Sequence, residues 1–215
     1  GSGNTIGGTT AQARNVISKN YEGIEINTSN NVVQGNYVGT DAGGTLNRGN
    51  RSDDGVEIQG SSTGNVVGGT ASGAGNVIAF NALAGVYVVN GSSQAVLGNS
   101  IFGNTGAGID LGAYGVLAND SGDADTGANN GQNFPVLTKA VTTGTQVEIS
   151  GTLNSQANSY YRIEFFGNAS ADSTGYGEGA VYLGALHMAT DGSGMASFRA
   201  TLNAAVASGA VVSVT

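Results

Sequence analysis

Three aspartates in the middle of the chain have the spacing of calcium ligands. Asp120, Asp123 and Asp125 lie in a glycine-containing segment that continues to Asn129 and Asn130. Calcium takes about six to eight oxygen ligands, so carboxylates two and three residues apart allow one loop to wrap around the ion. The segment lacks the closing glutamate and the flanking helices of an EF-hand. We predict a structural calcium site at these five residues; the alternative is a solvated acidic linker.

A second group of carboxylates lies within and beside a short sequence motif, or phrase. Asp53 and Asp54 come just before Gly55-Val-Glu-Ile58, which contains Glu57, and Glu25 has the same place in an earlier copy of that phrase. Two carboxylates on adjacent strands can share a proton, bind a cation or flank a glycosidic bond, although glycosidases use separations of about 5 to 9 Å. Glu25, Asp53, Asp54 and Glu57 are therefore candidate catalytic residues for polysaccharide chemistry. The alternative is a polar stripe that faces solvent.

An internal repeat supplies the elements that must position these side chains. A phrase of asparagine, apolar residues and glycine returns four times, and each copy is followed by a second and a third phrase. The first phrase begins at Asn4, Asn31, Asn65 and Ala95, the second at Asn15, Asn36, Asn76 and Asn99, and the third at Gly23, Gly55, Gly85 and Gly108. Self-similarity of this kind indicates a solenoid with one rung for each set of three phrases.

Each phrase contributes one apolar column to the solenoid. The phrases are short, rich in valine and isoleucine, and lack the apolar spacing that a helix needs. The predicted columns are Ile6, Val33, Val67 and Leu97; Ile17, Val38, Ile78 and Ile101; and Ile24, Val56, Val86 and Ile109. Rungs stacked about 4.8 Å apart would bury these columns in one core, with asparagine and glycine at the corners and stacked asparagines bonded to the next rung. The outward positions of the third strand form a predicted exposed file of Glu25, Glu57, Tyr87 and Asp110.

On these repeats, the chain resembles the right-handed parallel β-helix proteins that bacteria secrete or carry on their surface. The resemblance covers roughly residues 4 to 112, and the acidic loop followed by Gln132-Asn-Phe-Pro-Val136 extends it to nearly the whole chain. It implies an all-β fold, an extracellular or bacterial cell-surface location, and further domains in a longer parent chain. It names no reaction, because this architecture serves many functions.

Related β-helix enzymes have residues that this sequence lacks. The polysaccharide lyases need an acidic calcium cluster with an arginine or lysine base on one face. Here the predicted outward positions of the first strand are Thr5, Val32, Val66 and Val96. The glycosidases use several aspartates and a histidine, whereas His187, the single histidine, lies outside the repeats. The resemblance therefore favours a non-enzymatic role and leaves an enzyme as the alternative.

We predict three segments along the chain. Residues 1 to 112 form the right-handed parallel β-helix, residues 113 to 133 an acidic linker loop with the calcium site, and residues 134 to 215 an immunoglobulin-like β-sandwich. The sandwich is predicted from strand-like runs at 136–141, 145–153, 160–167, 180–189, 195–202 and 210–215, with a hairpin turn at 190–194. The chain stops inside the last run, which could truncate this domain. Calcium in the linker would stiffen the junction between helix and sandwich.

The composition limits the classes of function. The chain has 38 Gly, one Pro, no Cys and a net charge of −8. The lack of clustered basic residues argues against nucleic-acid binding, and the lack of an apolar run of about 20 residues argues against membrane insertion. We expect a calcium-stabilised structural or adhesive module of a larger extracellular bacterial protein, with a glycan or a host or cell-surface protein as its partner. A polysaccharide lyase, a glycoside hydrolase or a non-catalytic glycan-binding surface on the β-helix is the alternative.

Overall fold

The structure, a computed structural model, describes residues 1–172 and 175–215 and divides them into two compact units. The first unit comprises residues 1–117 and 127–129, and the second comprises residues 118–126 and 130–215. Two short 3₁₀-helices, Ala11–Ala13 and Ala128–Gly131, accompany strands that make up almost all the regular structure. Within the described ranges, no helix is long and apolar enough to cross a bilayer.

The first unit is a parallel β-helix, as predicted. Its strands are β1 (Thr5–Gly7), β2 (Val16–Ile17), β3 (Ile24–Ile26), β4 (Val32–Gln34), β5 (Tyr37–Val38), β6 (Val56–Ile58), β7 (Val66–Gly68), β8 (Val77–Ala79), β9 (Val86–Val88), β10 (Ala95–Leu97), β11 (Ser100–Phe102) and β12 (Ile109–Leu111). They form three four-stranded parallel sheets, ordered β1-β4-β7-β10, β2-β5-β8-β11 and β3-β6-β9-β12. Each sheet takes one strand from every rung, so the chain passes through all three sheets before it returns to the first.

Two of the three apolar columns pair as predicted. In the third sheet Ile24 pairs with Val56, Val56 with Val86, and Val86 with Ile109. The second sheet aligns its predicted column in the same way. The columns meet in one core, where the central valines and isoleucines are fully buried. A single rung could not bury its own apolar face, so the stacking of rungs creates the core.

The fourth copy of the first phrase begins one residue earlier than predicted. The side-chain Oε1 of Gln94 accepts a hydrogen bond from the Asn65 N–H at 3.0 Å, which is the role that asparagine has in the other copies. Val96 therefore pairs with Val67, and Leu97 pairs with Gly68. The assignments of Leu97 to the apolar column and of Val96 to the outward face are wrong, because glutamine here replaces the asparagine that marks the phrase.

Asparagine side chains form hydrogen-bonded ladders through the corners of the β-helix, as predicted. At each step, Oδ1 of one residue accepts from the backbone N–H of its counterpart in the preceding rung, and in most steps also from that residue's Nδ2. The ladders are Asn15, Asn36, Asn76 and Asn99; Asn20, Asn50, Asn81 and Asn104; and Asn4, Asn31, Asn65, Gln94 and Asn129. These bonds satisfy backbone groups that would otherwise be buried without partners.

The second unit is an antiparallel β-sandwich. Its strands are β13 (Val136–Thr142), β14 (Val147–Asn154), β15 (Tyr160–Asn168), β16 (Val181–Ala189), β17 (Met195–Leu202) and β18 (Val211–Val214). They form two sheets, ordered β13-β14-β17 and β16-β15-β18. One core joins the sheets, with Ile149 and Phe198 from the first packed among Ile163 and Phe165 from the second. The immunoglobulin-like topology of the sandwich and the right-handed sense of the β-helix stay predictions.

The predicted hairpin at residues 190–194 is wrong. The turn joins β16 to β17, which belong to different sheets. Asp191 Oδ1 fixes this turn by accepting from the backbone N–H groups of Ser193 at 2.8 Å and Met195 at 3.0 Å. A turn sequence predicts reversal of the chain but does not decide whether the flanking strands pair.

Candidate functional site

Five carboxylates lie together on the outer side of the third sheet of the β-helix. This acidic face consists of Glu22, Glu25, Asp53, Asp54 and Glu57. Glu25 on β3 and Glu57 on β6 are paired in register, so the fold stacks them in adjacent rungs. The other three lie just before these strands: Glu22 precedes Gly23 and β3, and Asp53 and Asp54 precede Gly55 and β6. The structure thus brings together all four residues that the sequence marks as catalytic candidates, and adds Glu22.

The acidic face contains a compact trio of carboxylates. One oxygen of Asp53, one of Asp54 and one of Glu57 all lie within 4.8 Å of one another, close enough to hold a metal ion. Asp54 is fully buried. Its Oδ1 accepts from the Ala84 N–H at 2.6 Å, and its Oδ2 accepts from the Tyr114 hydroxyl at 2.9 Å.

Burial and like charges disfavour ionisation of Asp54 and Glu57. Burial is the main reason that the pKa of Glu57 is raised to about 7, and the negative charges of Asp53, Glu22, Asp54 and Glu25 add to it. Burial likewise raises the pKa of Asp54 to about 6, although the hydrogen bonds that it accepts oppose this shift. Within the described part of the chain, no member of the acidic face forms an ion pair. The face can therefore bind a cation or exchange a proton near neutral pH.

Two tyrosines border the acidic face. Tyr87 on β9 pairs with Glu57 on one side and with Asp110 on the other, as predicted for the outward file. The ring of Tyr114 stacks on that of Tyr87 with a centroid distance of 4.3 Å and an interplanar angle of 22°. The Gly115 N–H, next in the chain, donates to Asp110 Oδ2 at 3.0 Å.

The file is not exposed along its whole length. Glu25 is exposed and Glu57 is half-buried, but Tyr87 is only 8% exposed and Asp110 only 4%. The prediction of an exposed file is wrong for these two residues, because the segment after β12 folds back and covers them with Tyr114 and Gly115.

The second site is the loop with the three predicted calcium ligands, and it belongs to the second unit. One oxygen of Asp120, one of Asp123 and one of Asp125 lie within 4.8 Å of one another, close enough to hold a metal ion. Asp123 is buried; its Oδ1 accepts from the Asn133 N–H at 2.9 Å, and its Oδ2 accepts from the Ser155 hydroxyl. Oδ1 of Asp125 is buried and has no hydrogen-bond partner among the described residues.

The two asparagines of the predicted site are placed differently. Asn129 belongs to the first unit, where its Oδ1 accepts from the Gln94 N–H at 2.8 Å and its Nδ2 donates to the Gln94 carbonyl at 2.9 Å. It thereby ends one of the asparagine ladders. Asn130 belongs to the second unit and is exposed. The three aspartates are therefore the residues of this set that the structure groups together.

Sequence reasoning missed Glu22 and Tyr114. Glu22-Gly-Ile-Glu25 and Asp54-Gly-Val-Glu57 share the pattern of an acid, a glycine, a β-branched residue and a glutamate, so the repeat alignment contained the signal for Glu22. Tyr114 lies beyond the last repeat, and it reaches Asp54 across 60 residues of sequence. No local pattern marks such a contact.

Comparisons with known proteins give no family for the chain: no family model matches it, and no curated protein matches it. The functional argument therefore depends on the two acidic sites and on the fold that positions them.

Proposed function

We propose that the chain is a calcium-stabilised structural and adhesive module of a larger extracellular or cell-surface bacterial protein. The observation that carries this proposal is the buried Oδ1 of Asp125, which has no partner in the described part of the chain and lies in the cluster with Asp120 and Asp123. A buried carboxylate oxygen without a donor destabilises the fold, and two neighbouring carboxylates increase the cost through repulsion. A bound cation would remove both penalties.

Calcium is the cation that best suits this donor set. The cluster offers oxygen atoms alone, which favours hard cations over zinc or copper. Calcium also accepts irregular coordination with carbonyls and water completing its shell, whereas magnesium needs nearly ideal octahedral geometry. The hydrogen bonds from Asn133 and Ser155 hold Asp123 in place before an ion arrives. The role would be structural, because these bonds tie the loop to the sandwich core.

The adhesive part of the proposal is supported by the solenoid. Stacked rungs give a surface whose length grows with each repeat while the core stays the same. The loops between strands can then vary in sequence without disturbing the columns. A glycan or a host or cell-surface protein would be the partner of such a surface.

Thermal unfolding tests the calcium site. The wild type is melted in calcium and in chelator, beside Asp125→Asn and, as a matched control from the other acidic cluster, Glu57→Gln. At a calcium concentration of about 100 times the dissociation constant, binding should stabilise the wild type by about 2.7 kcal/mol. Asp125→Asn should lose this response, and Glu57→Gln should keep it. Loss of the response in the Glu57 variant alone would refute the proposed loop site.

A polysaccharide-active enzyme is the second candidate, because the acidic face contains two carboxyl groups whose pKa values are raised to about 7 and about 6. A general acid needs a pKa of this kind near neutral pH. Incubation with soluble polysaccharides, followed by detection of new reducing ends or of unsaturated products, tests this candidate. Turnover that Glu57→Gln abolishes would support it, and the absence of turnover on all substrates would remove it.

A further inference from the structure

Tyr114 presents an immobilised aromatic surface to solvent. One face of its ring stacks on Tyr87, and its hydroxyl donates a hydrogen bond to Asp54. These two contacts fix the position of the ring. Even so, 54% of the residue is exposed. A fixed ring with a free face is well suited to stacking against a flat or cationic ligand, since little conformational entropy is lost on binding.

The groups beside this ring are carboxylates. Asp54 contacts the Tyr114 hydroxyl, Asp53 and Glu57 lie beside Asp54, and Glu25 follows Glu57 on the next strand. Within the described ranges, no lysine or arginine pairs with any of them. The face of an aromatic ring also attracts cations through its quadrupole. Ring and carboxylates therefore select the same charge in a ligand.

A buried carboxylate oxygen without a partner among the described residues lies at each end of this row of side chains. Asp110 is 4% exposed, and its Oδ1 has no hydrogen-bond partner among the residues that the structure describes. Its other oxygen accepts from Gly115, the residue after Tyr114, and its side chain lies beside Tyr87 in the same file. At the other end of the acidic face, Oε1 of Glu22 is also buried without a partner. A ligand on the acidic face would supply the donor that the Glu22 oxygen lacks. The Asp110 oxygen lies under the segment of Tyr114 and Gly115, away from the free face of the ring.

We propose that Tyr114 and the acidic face form a binding site for a glycan with free amino groups, such as an oligomer of glucosamine. A pyranose ring would stack on the exposed face of Tyr114. Its hydroxyl and ammonium groups would donate hydrogen bonds to Asp53, Glu57 and Glu25. The site would reject uronic acids, whose carboxylates would meet other carboxyl groups and no paired lysine or arginine among the described residues. This inference concerns binding alone and requires neither catalysis nor calcium in the loop of the second unit.

A metal ion alone would leave the exposed tyrosine without a role. A lysine-rich peptide would satisfy the carboxylates, but its flexible side chain makes less use of a broad ring face than a pyranose does. The combination of a fixed planar surface with several hydrogen-bond acceptors favours the amino sugar.

Calorimetric titration of the full chain with three hexasaccharides tests the proposal. The probes are the hexamers of glucosamine, N-acetylglucosamine and galacturonate, all at one calcium concentration and below the pKa of the amine. We expect the glucosamine hexamer to bind, its acetylated counterpart to bind about tenfold more weakly because it lacks the ammonium, and the galacturonate hexamer not to bind.

Variants assign the binding to this site. Tyr114→Ala should weaken binding of the glucosamine hexamer by about tenfold. Tyr114→Phe keeps the ring and its stacking on Tyr87 but loses the bond to Asp54, so it should weaken binding less than Tyr114→Ala does. Tyr160→Ala is the matched control, because Tyr160 is 89% exposed but lies in the second unit. Circular dichroism would establish that each variant is folded.

Several results would overturn the proposal. Equal binding of the galacturonate and glucosamine hexamers would contradict the charge argument, and unchanged binding by Tyr114→Ala would contradict the role of the ring. Absence of binding by every probe would remove the site altogether. An oligolysine of equal charge that binds as tightly, with the same dependence on Tyr114, would assign the site to a basic protein partner.

Discussion

Replacement of Asn76 by alanine measures what the asparagine ladders contribute to the stability of the β-helix. The side chain of Asn76 is 1% exposed and makes four hydrogen bonds. Its Oδ1 accepts from the N–H and the Nδ2 of Asn36 at 2.9 and 3.1 Å, and its Nδ2 donates to the Val33 carbonyl at 2.8 Å and to Asn99 Oδ1 at 2.9 Å. Alanine removes all of these bonds.

The expected loss follows from the number of bonds. A buried hydrogen bond contributes about 1 kcal/mol, so Asn76→Ala should lower the free energy of unfolding by about 4 kcal/mol. The penalty for buried groups that are left unpaired, including the Asn36 N–H, would increase this loss. A loss of this size is a large part of the total stability of an ordinary domain.

Asn15→Ala is the matched control, because Asn15 is an exposed member of the same ladder. Its side chain donates one hydrogen bond, from Nδ2 to Asn36 Oδ1 at 2.9 Å. The expected loss is therefore at most about 1 kcal/mol. Urea unfolding followed by circular dichroism, at one fixed calcium concentration, gives both values. Equal losses for the two variants would refute the view that the ladder stabilises the fold through its buried hydrogen bonds.

Three further predictions follow from single side chains or glycines. Glu57 has a pKa of about 7 in the fold against an ordinary value of 4.5, so its stabilising contribution is present below about pH 4.5 and is lost as the pH rises through about 7. The melting temperature should therefore rise as the pH is lowered from about 7.5 to about 5. Glu57→Gln should reduce that rise. In the acidic loop, a Cβ on Gly131 would collide with the neighbouring aspartate carboxylate, whereas Gly122 has a similar positive φ and open space. Gly131→Ala should abolish the calcium response in thermal unfolding, and Gly122→Ala should keep it. In the β-helix, a Cβ on Gly55 would lie 2.6 Å from a carbonyl of the next rung, so Gly55→Ala should lower the free energy of unfolding in urea by about 1 to 3 kcal/mol.

The repeat made the β-helix predictable from sequence. Each rung must bury the same three apolar positions, so Ile24 and Val56 had to stack once the phrases were aligned. The same alignment failed at Gln94, because it depended on the identity of the asparagine and not on the hydrogen bond that this side chain makes. Glutamine supplies the same acceptor from a longer side chain. The column residue is therefore Val96, two positions after Gln94, just as Val67 is two positions after Asn65.

The sites were predictable only where they lie within a repeat or within one loop. Asp120, Asp123 and Asp125 are close in sequence, so their proximity in space needed little from the fold. Tyr114 is different, because its position depends on how the chain leaves the last rung and returns over Tyr87. The path of this segment depends on packing between residues that are far apart in the sequence. A periodic sequence pattern contains no information about such contacts.

The two units interleave along the chain, and this has a consequence for biosynthesis. Residues 127–129 belong to the β-helix although they follow the first residues of the sandwich, and they bring Ala128 into the core and Asn129 onto Gln94. During synthesis on the ribosome, the last rung therefore lacks its hydrogen bonds to Asn129 and the packing of Ala128 until residue 129 has left the exit tunnel. A chain that ended at residue 117 would lack these contacts permanently, and the corner at Gln94 would have no hydrogen-bond partner from Asn129. The residues that complete the last rung of the β-helix thus follow its last strand in the sequence, and they lie between segments of the second unit.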